Sequence, residues 1–347
     1  MTSSFSPPKE RVPQPHTNKA RDPFERHPAW GVRTTALVRT LKRAARSVTD
    51  HRSPIQTRLA LENLSRLAPP VWGVSQRTGS LGGVPARWFT PRGVHAEGPV
   101  LMHIHGGGFS LCSSHVHATF ISELARAIGA RAVGIDYRLA PEHPFPLPIE
   151  DCYSAYLGLL DSGVDPSRII LSGDSAGGNL ALATLQRVRA AGQPMPRLVV
   201  LLSPWVDLEC RGDSVHFNDP YDYLSQDLLE LFAAYYLQGA DPRDPQASPV
   251  HADLSGFPPM LIQAGGGETL LSEIRTLARR AERHGVRVTL QEWEGMCHAF
   301  HGFSMFIPEA ERAFHEVASW IGAQQSWPRT GILQRSVPGL HRLLATA

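Results

Sequence analysis

Gly-Asp-Ser-Ala-Gly, at residues 173–177, is the stretch that decides the fold of this chain. The run Arg-Ile-Ile-Leu-Ser at 168–172 predicts a buried strand before it, and the run at 178–185 predicts a helix after it. A serine on such a sharp strand-to-helix turn is lifted above the sheet edge, and small neighbours keep other backbone away from it. The helix N-terminus behind the serine favours negative charge near its hydroxyl. The pattern therefore predicts that Ser175 is the nucleophile of an acyl transfer.

A glycine triplet earlier in the chain supplies the second half of such a site. His-Gly-Gly-Gly-Phe at 105–109 directly follows the strand-like run Val-Leu-Met-His-Ile at 100–104. Consecutive glycines leave backbone N–H groups unshielded, so several can point at one spot. Acyl transfer needs such donors where an oxyanion develops, and the loss of one costs about 10²–10³ in rate. We predict that Gly107, Gly108 and Ala176 donate to the oxyanion, and Gly106 is a weaker candidate.

Three motifs in this order carry a family resemblance. They are the glycine triplet at 105–109, Asp-Tyr-Arg-Leu-Ala-Pro-Glu-His-Pro-Phe-Pro at 136–146, and Gly-Asp-Ser-Ala-Gly-Gly at 173–178. Together they resemble the hormone-sensitive-lipase-like branch of the α/β-hydrolase esterases, over about residues 83–323. The resemblance implies a mostly parallel central sheet with helices on both faces and a helical cap. It also implies a serine carboxylester hydrolase that acts on a small-molecule ester of short to medium acyl chain and needs no cofactor.

The serine needs a general base, and in this fold the chain order is Ser, acid, His. The chain has 16 histidines, so position has to decide among them. His298 lies in the loop that follows the strand-like run 286–293. The sequence Gly-Met-Cys-His-Ala-Phe in that loop also looks like the histidine loop of the family. We predict that His298 is the base, with His301 as its nearest competitor.

The acid that orients the histidine is expected after the strand-like run 260–264. The family usually has Asp-x-Leu there, whereas this chain has Glu268, which is one methylene longer. Any carboxylate that accepts from the imidazole Nδ1–H can orient the ring, and we predict this role for Glu268. Two alternatives stay open. In the first, Glu268 is only a first-turn acid of the following helix. In the second, the orienting acid is Glu273, which we expect to face solvent or to form pairs on that helix.

Length and composition bound the class of protein. A chain of 347 residues with a net charge of +2 fits one α/β domain with additions and argues against a dedicated nucleic-acid binder. It contains no 18-residue apolar run, so no integral membrane segment is expected, and residues 1–33 lack the apolar core of a signal peptide. Four scattered cysteines predict reduced thiols and a cytoplasmic location. The oligomeric state is left open, with a homodimer among the options.

The chain divides into four predicted segments. Residues 1–28 are expected to be disordered, 29–75 to form basic cap helices, 76–325 to form the α/β-hydrolase domain with a cap insertion at about 205–257, and 326–347 to form a tail of unknown role. The basic helical pattern also suits a membrane surface. We expect the run 84–90 to be the first strand of the sheet and to be antiparallel. Strand–helix alternation then predicts a parallel sheet, with the site at the carboxyl ends of its strands.

Rival functions use other features of the chain. His-x-His pairs at 103/105 and 115/117 suit a metal, but no third ligand follows at helical spacing, so we expect no metal. Cys297 is a possible alternative nucleophile, but the sequence presents no second base that would deprotonate it. Plant gibberellin receptors resemble this family but have lost the triad histidine, whereas His298 is present here. An amide deacetylase or a lactone hydrolase would use the same residues as an esterase, and this choice stays open.

Overall fold

The computed structural model of this chain describes residues 24–51 and 53–324. Most of the segment predicted to be disordered, 1–28, therefore lies outside the described residues, and so does the whole C-terminal tail 326–347. The two predicted cap regions and the predicted catalytic domain lie within them.

A mostly parallel sheet of eight strands forms the centre of the molecule. The strands are β1 (Val74–Leu81), β2 (Val84–Pro91), β3 (Val100–Ile104), β4 (Arg131–Ile135), β5 (Ile169–Asp174), β6 (Leu198–Leu202), β7 (Met260–Gly265) and β8 (Val288–Trp293). Their order in the sheet is β1-β2-β4-β3-β5-β6-β7-β8. The β1–β2 and β2–β4 pairs are antiparallel, and all later neighbours are parallel. The predicted α/β-hydrolase fold is confirmed.

Helices cover both faces of this sheet. The helices that pack on the sheet are α3 (Ala118–Ile128), α4 (Leu147–Asp161), α5 (Ala176–Ala190), α8 (Leu271–Arg283) and α9 (Pro308–Ala323). The other helices of the described residues are α1 (Val32–His51), α2 (Pro54–Ser65), α6 (Asp213–Phe217) and α7 (Gln226–Leu237). Side chains alternate across the strands, so Met102 of β3 belongs to the core formed with α4, α5 and α8, while its neighbour Leu101 belongs to the core formed with α3 and α9. Because both faces are covered, central strands such as β6 are continuous buried apolar runs.

The start of the sheet differs from the prediction. The run at 84–90 is antiparallel as expected, but it is the second strand, because β1 precedes it and pairs with it along its whole length. The sequence of β1, Val-Ser-Gln-Arg-Thr-Gly-Ser-Leu, gives little signal for a strand, since six of its eight residues are exposed. An edge strand with neither face in the core has no apolar alternation to detect.

Two separate parts of the chain form the cap. Helices α1 and α2 lie within the predicted cap segment 29–75, and α6 and α7 lie within the predicted insertion 205–257. The buried Lys42 of α1 donates to the backbone carbonyl of Asp219 in the insertion, which joins the two parts. Arg58 of α2 donates to the carbonyl oxygens of Ser110 and Ala140 at 2.6 and 2.5 Å, which ties the cap to the loops after β3 and β4. Within residues 24–51 and 53–324, none of the helices is both long enough and apolar enough to cross a membrane.

Candidate active site

Ser175 lies on the tight turn between β5 and α5. Its φ of 52° and ψ of −124° are strained for a residue with a side chain. The turn is possible because the backbone packs closely around it. A Cβ at Gly177 would collide with the carbonyl of Ile104, and one at Gly173 would collide with the carbonyl of Gly177. The predicted elbow is therefore present, and its glycines are required by close approach of backbone.

The structure brings His298 to this serine. The distance from His298 Nε2 to Ser175 Oγ is 2.8 Å, and both residues are buried, with Ser175 only 9% exposed. A hydroxyl that donates to Nε2 leaves the ring proton on Nδ1, which is the tautomer that a general base needs. The competitor His301 lies elsewhere, with its Nε2 3.0 Å from the side-chain oxygen of Gln263.

Glu268 lies in the same buried region, but its observed partners are not the histidine. Its Oε2 accepts from Ser203 Oγ at 2.6 Å and from the N–H of Gly265 at 2.9 Å. Among the described residues, the other oxygen, Oε1, has no hydrogen-bond partner, and neither has His298 Nδ1. A buried acceptor without a donor and a buried donor without an acceptor each cost about 1–3 kcal/mol. Glu268 Oε1 can accept a hydrogen bond, and His298 Nδ1 can donate one.

Glu273, the alternative acid, is not where we expected it. It is 4% exposed rather than solvent-facing, because helix α8 turns this side chain inward. Its Oε1 accepts from the backbone N–H of Val206 at 3.2 Å, in the segment that follows β6. Glu273 therefore supports the start of the cap insertion.

Two residues that sequence reasoning missed hold the histidine loop. Asp222, in the cap insertion, accepts from the backbone N–H groups of His298 at 3.1 Å and Thr269 at 2.8 Å. Ser203 donates to Glu268 and accepts from the N–H of Ala299 at 3.1 Å. Ser203 directly follows β6, so its place at the carboxyl end of a strand was a usable signal. Asp222 lies in irregular chain, where no local pattern marks it.

The glycine loop leaves three backbone donors open beside the elbow. Gly106 does not contribute one, because its N–H donates to Asp174 Oδ1 at 3.0 Å. Gly107 and Gly108 have φ values of 110° and 60°, which glycine tolerates. In the part of the chain that the structure describes, the N–H groups of Gly107, Gly108 and Ala176 donate to no protein acceptor. The structure thus leaves free the three donors predicted for the oxyanion.

Burial dominates the acid–base properties of this site. It lowers the pKa of His298 to about 4, and the negative charge of Asp174 opposes that shift. Burial also raises the pKa of Glu268 well above its usual range, against the hydrogen bonds from Ser203 and Gly265. Contact between an imidazolium and a carboxylate would oppose both shifts. Burial raises the pKa of the Cys297 thiol as well, which makes this cysteine a poor nucleophile.

The histidines considered as metal ligands form a different network. His103 Nε2 lies 3.1 Å from Asp174 Oδ1, and His117 Nε2 lies 3.3 Å from Asp174 Oδ2. The ring of His105 stacks on Tyr137 with a centroid distance of 4.4 Å. Two of the four rings are thus bound to one carboxylate directly before the nucleophile.

Known proteins share this fold and sequence. A family model described as alpha/beta hydrolase fold matches residues 101–302. An acetyl-hydrolase of Streptomyces hygroscopicus is 41% identical over 244 residues, 70% of this chain and 81% of that protein. An esterase of Acinetobacter venetianus is 36% identical over 270 residues, 77% of this chain and 88% of that protein. The crystal structure of an esterase from the bacterial hormone-sensitive lipase family has a TM-score of 0.81 at 38% identity, and the match covers 86% of this chain and 100% of that one.

Fold, elbow and glycine loop define an α/β hydrolase. The matches place it more closely: the chain belongs to the hormone-sensitive-lipase-like esterases of the α/β-hydrolase family.

Proposed function

We propose that this chain hydrolyses carboxylic esters with Ser175 as nucleophile, His298 as general base and Glu268 as the acid that orients His298. The observation that carries the proposal is the 2.8 Å contact between Ser175 Oγ and His298 Nε2 on the strained elbow. The free backbone N–H groups beside the elbow and the family membership also support ester hydrolysis by a serine nucleophile.

The reaction runs in two halves at this site. His298 Nε2 takes the hydroxyl proton while Ser175 Oγ attacks the ester carbonyl carbon, and the carbonyl oxygen becomes an oxyanion near the N–H groups of Gly107, Gly108 and Ala176. The intermediate collapses to an acyl-enzyme, and His298 gives the proton to the departing alcohol. A water molecule, deprotonated by His298, then attacks the acyl carbon and releases the acid.

The role of Glu268 rests on the two buried atoms that lack partners. With Nε2 engaged by Ser175, the proton of His298 lies on Nδ1 and needs an acceptor. Glu268 Oε1 is a buried acceptor in need of a donor, and its carboxyl group is already held in place by Ser203. A hydrogen bond from His298 Nδ1 to Glu268 Oε1 would satisfy both atoms at once.

For the substrate we propose an ester of short to medium acyl chain. Aromatic rings close the space behind the oxyanion loop: Phe109 stacks on Tyr236 of α7 at a centroid distance of 3.8 Å, and Phe232 packs directly against Gly108. A relative is named an acetyl-hydrolase, and the similar esterase EstE5 was soaked with p-nitrophenyl butyrate. The test is kcat/KM across p-nitrophenyl esters from acetate to laurate, with an acetanilide and a lactone. We expect kcat/KM to be highest for the esters from acetate to hexanoate. A higher kcat/KM for the acetanilide or the lactone would instead indicate an amide deacetylase or a lactone hydrolase.

The pH profile tests His298 directly. A histidine base works only when neutral, so activity falls as the pH drops through its pKa. Burial lowers the pKa of His298 to about 4, and a hydrogen bond to the carboxylate of Glu268 would raise it again, so we expect the acid limb of kcat/KM to lie between about pH 4 and 6. An unperturbed imidazole would place this limb near pH 6.5 instead.

Asp222 provides the control for that profile. Burial raises its pKa to about 6, and its protonation would weaken the hydrogen bond from the N–H of His298. A limb near pH 6 that disappears in Asp222→Asn therefore belongs to Asp222. A limb near pH 6.5 in both proteins would contradict the expected low pKa of His298.

Gly108→Ala tests the oxyanion loop. The new Cβ would lie 2.5 Å from the ring of Phe232, and a side chain is strained at the φ of 60°, so we expect the loop to shift and to move its N–H groups off the oxyanion. We expect kcat to fall about 10²-fold, since the loss of one donor has that effect. Gly129→Ala is the matched control, because Gly129 has a similar φ of 65° but open space around its Cα. Equal kcat values for the two variants would count against Gly108 as part of the oxyanion site.

We infer a cytoplasmic location from cysteine chemistry. Cys112, Cys152, Cys210 and Cys297 are all free thiols, a state that reducing compartments preserve. The homodimer and the absence of nucleic-acid binding remain predictions from the sequence. Light scattering and a DNA gel shift on the purified chain test them.

A further inference from the structure

Asp174 is a buried carboxylate directly before the nucleophile, and the mechanism above gives it no role. It is 5% exposed. Its Oδ1 accepts from the N–H of Gly106 at 3.0 Å and lies 3.1 Å from His103 Nε2, while its Oδ2 lies 3.3 Å from His117 Nε2. A buried carboxylate is expensive to keep, so three aligned partners at this place call for an explanation.

The first consequence of this arrangement concerns the oxyanion loop. Gly106 begins the glycine triplet, and its N–H bond to Asp174 joins that loop to the nucleophile elbow. The approach is so close that a Cβ at Gly106 would collide with the carboxylate of Asp174 and lie 3.0 Å from the Cβ of Ser175. The same bond removes Gly106 from the set of open donors and leaves Gly107 and Gly108 to face the reaction.

The second consequence is electrostatic. The histidine partners hold the pKa of Asp174 well below its usual range, so the group is an anion. Its charge raises the pKa of His117 well above the usual value, whereas burial lowers the pKa of His103. Asp174 Oδ2 and His117 Nε2, 3.3 Å apart, therefore favour each other's charged forms, and the carboxylate charge also favours the protonated form of His298.

We propose that Asp174 is a positioning residue for ester hydrolysis: its carboxylate holds the oxyanion loop through Gly106, its negative charge stabilises the imidazolium of His298, and His117 offsets that charge beside the oxyanion. The proposal rests on the proposed serine mechanism. It assigns the network of His103, His117 and Asp174 to catalysis rather than to a metal.

Several titratable groups face Asp174 and enter any measurement of pH dependence. His103 comes from β3, His117 from the turn before α3, and both His298 and His301 from the loop after β8. The thiol of Cys112, in the loop after the glycine triplet, also contributes to the raised pKa of His117. The informative quantity is therefore the direction in which the acid limb of kcat/KM moves from one variant to another.

Two substitutions of Asp174 separate its two effects. Asp174→Asn keeps an oxygen that can accept from Gly106 but removes the charge, so we expect kcat to fall about tenfold with little change in KM. The acid limb of kcat/KM should move to lower pH by about half a unit, because the base loses the charge that favours its protonated form. Asp174→Ala also removes the acceptor, and we expect a further fall of about tenfold or more as the loop loosens.

His117→Gln should move the acid limb in the opposite direction. It removes the compensating cation while a side-chain amide remains near Asp174, so the uncompensated carboxylate acts more strongly on His298 and the limb shifts to higher pH. The uncompensated anion also opposes the oxyanion, and kcat should fall about tenfold. In Asp174→Asn/His117→Gln the limb should return to low pH and kcat should exceed that of His117→Gln alone. A purely structural network predicts no such reversal.

Asp151→Asn is the matched control. Asp151 is 9% exposed and binds Arg138 at 2.7 Å, so it is a similarly buried, paired carboxylate on α4. Its loss should lower the thermal midpoint but leave kcat and the acid limb unchanged. Circular dichroism and the rate of Ser175 labelling by a fluorophosphonate report whether each variant is folded.

The possible results distinguish this proposal from the proposed function. Wild-type protein that neither hydrolyses esters nor labels at Ser175 would reject the esterase mechanism itself. Active wild type, with Asp174→Asn and His117→Gln showing acid limbs at the wild-type pH, would overturn the role of Asp174 alone. If Asp174→Asn does not fold, His117→Gln alone tests the role of Asp174: a shift of its acid limb to higher pH supports that role, and an unchanged limb contradicts it.

Discussion

Ser175→Ala is expected to lower kcat for p-nitrophenyl butyrate by about 10⁴–10⁶-fold, because no covalent acyl-enzyme can form without the hydroxyl. The oxyanion donors remain, so a residual rate about 10³–10⁴ above water is compatible with the mechanism. His298→Ala should lose a similar amount. The double variant should be little worse than either single variant, since nucleophile and base act as a unit across their 2.8 Å contact.

A matched variant shows whether such a loss is specific to the site. Ser122→Ala removes another buried serine hydroxyl, on α3, that has no hydrogen-bond partner among residues 24–51 and 53–324. It should leave kcat unchanged and the fold intact by circular dichroism. Fluorophosphonate labelling with peptide mapping gives the second readout, and we expect the label on the peptide that carries Ser175. A label elsewhere, or retention of wild-type activity in Ser175→Ala, would refute the proposed nucleophile.

Glu268→Gln carries the second largest expected effect, a loss of about 10⁴ in kcat with a small change in KM. Glutamine can still receive the hydrogen bonds of Ser203 and Gly265 through its oxygen, so the loop should remain in place. Its second polar group is then an amide, which cannot accept from Nδ1–H and favours the wrong tautomer of His298. The expected loss therefore reports orientation and charge rather than packing.

Glu273→Gln is the control for that experiment. Glu273 is also a buried glutamate with one unpartnered oxygen, Oε2, but its other oxygen binds the N–H of Val206. We expect Glu273→Gln to retain most of its activity. The reverse result, with Glu268→Gln active and Glu273→Gln inactive, would transfer the orienting role to Glu273.

The sequence predicted those parts of the site that depend on local backbone. The elbow around Ser175 and the loop at 105–109 could be recognised because a strand, a tight turn and a helix each leave a signal within a few residues. The predicted strands at 100–104 and 260–264 also agree with β3 and β7. β1 was missed because its edge position removes the alternation that marks a strand.

Contacts between distant segments were decided only by the tertiary structure. Ser175 and His298 are 123 residues apart, and the choice of His298 over His301 depends on which ring the loop after β8 turns towards β5. The cap residue Asp222 reaches the histidine loop from 76 residues away, and Asp174 receives His117 from 57 residues away. Local patterns record the conformation of neighbouring residues. They do not record strand order or the direction of a buried side chain, because those follow from packing the whole sheet against its helices and cap.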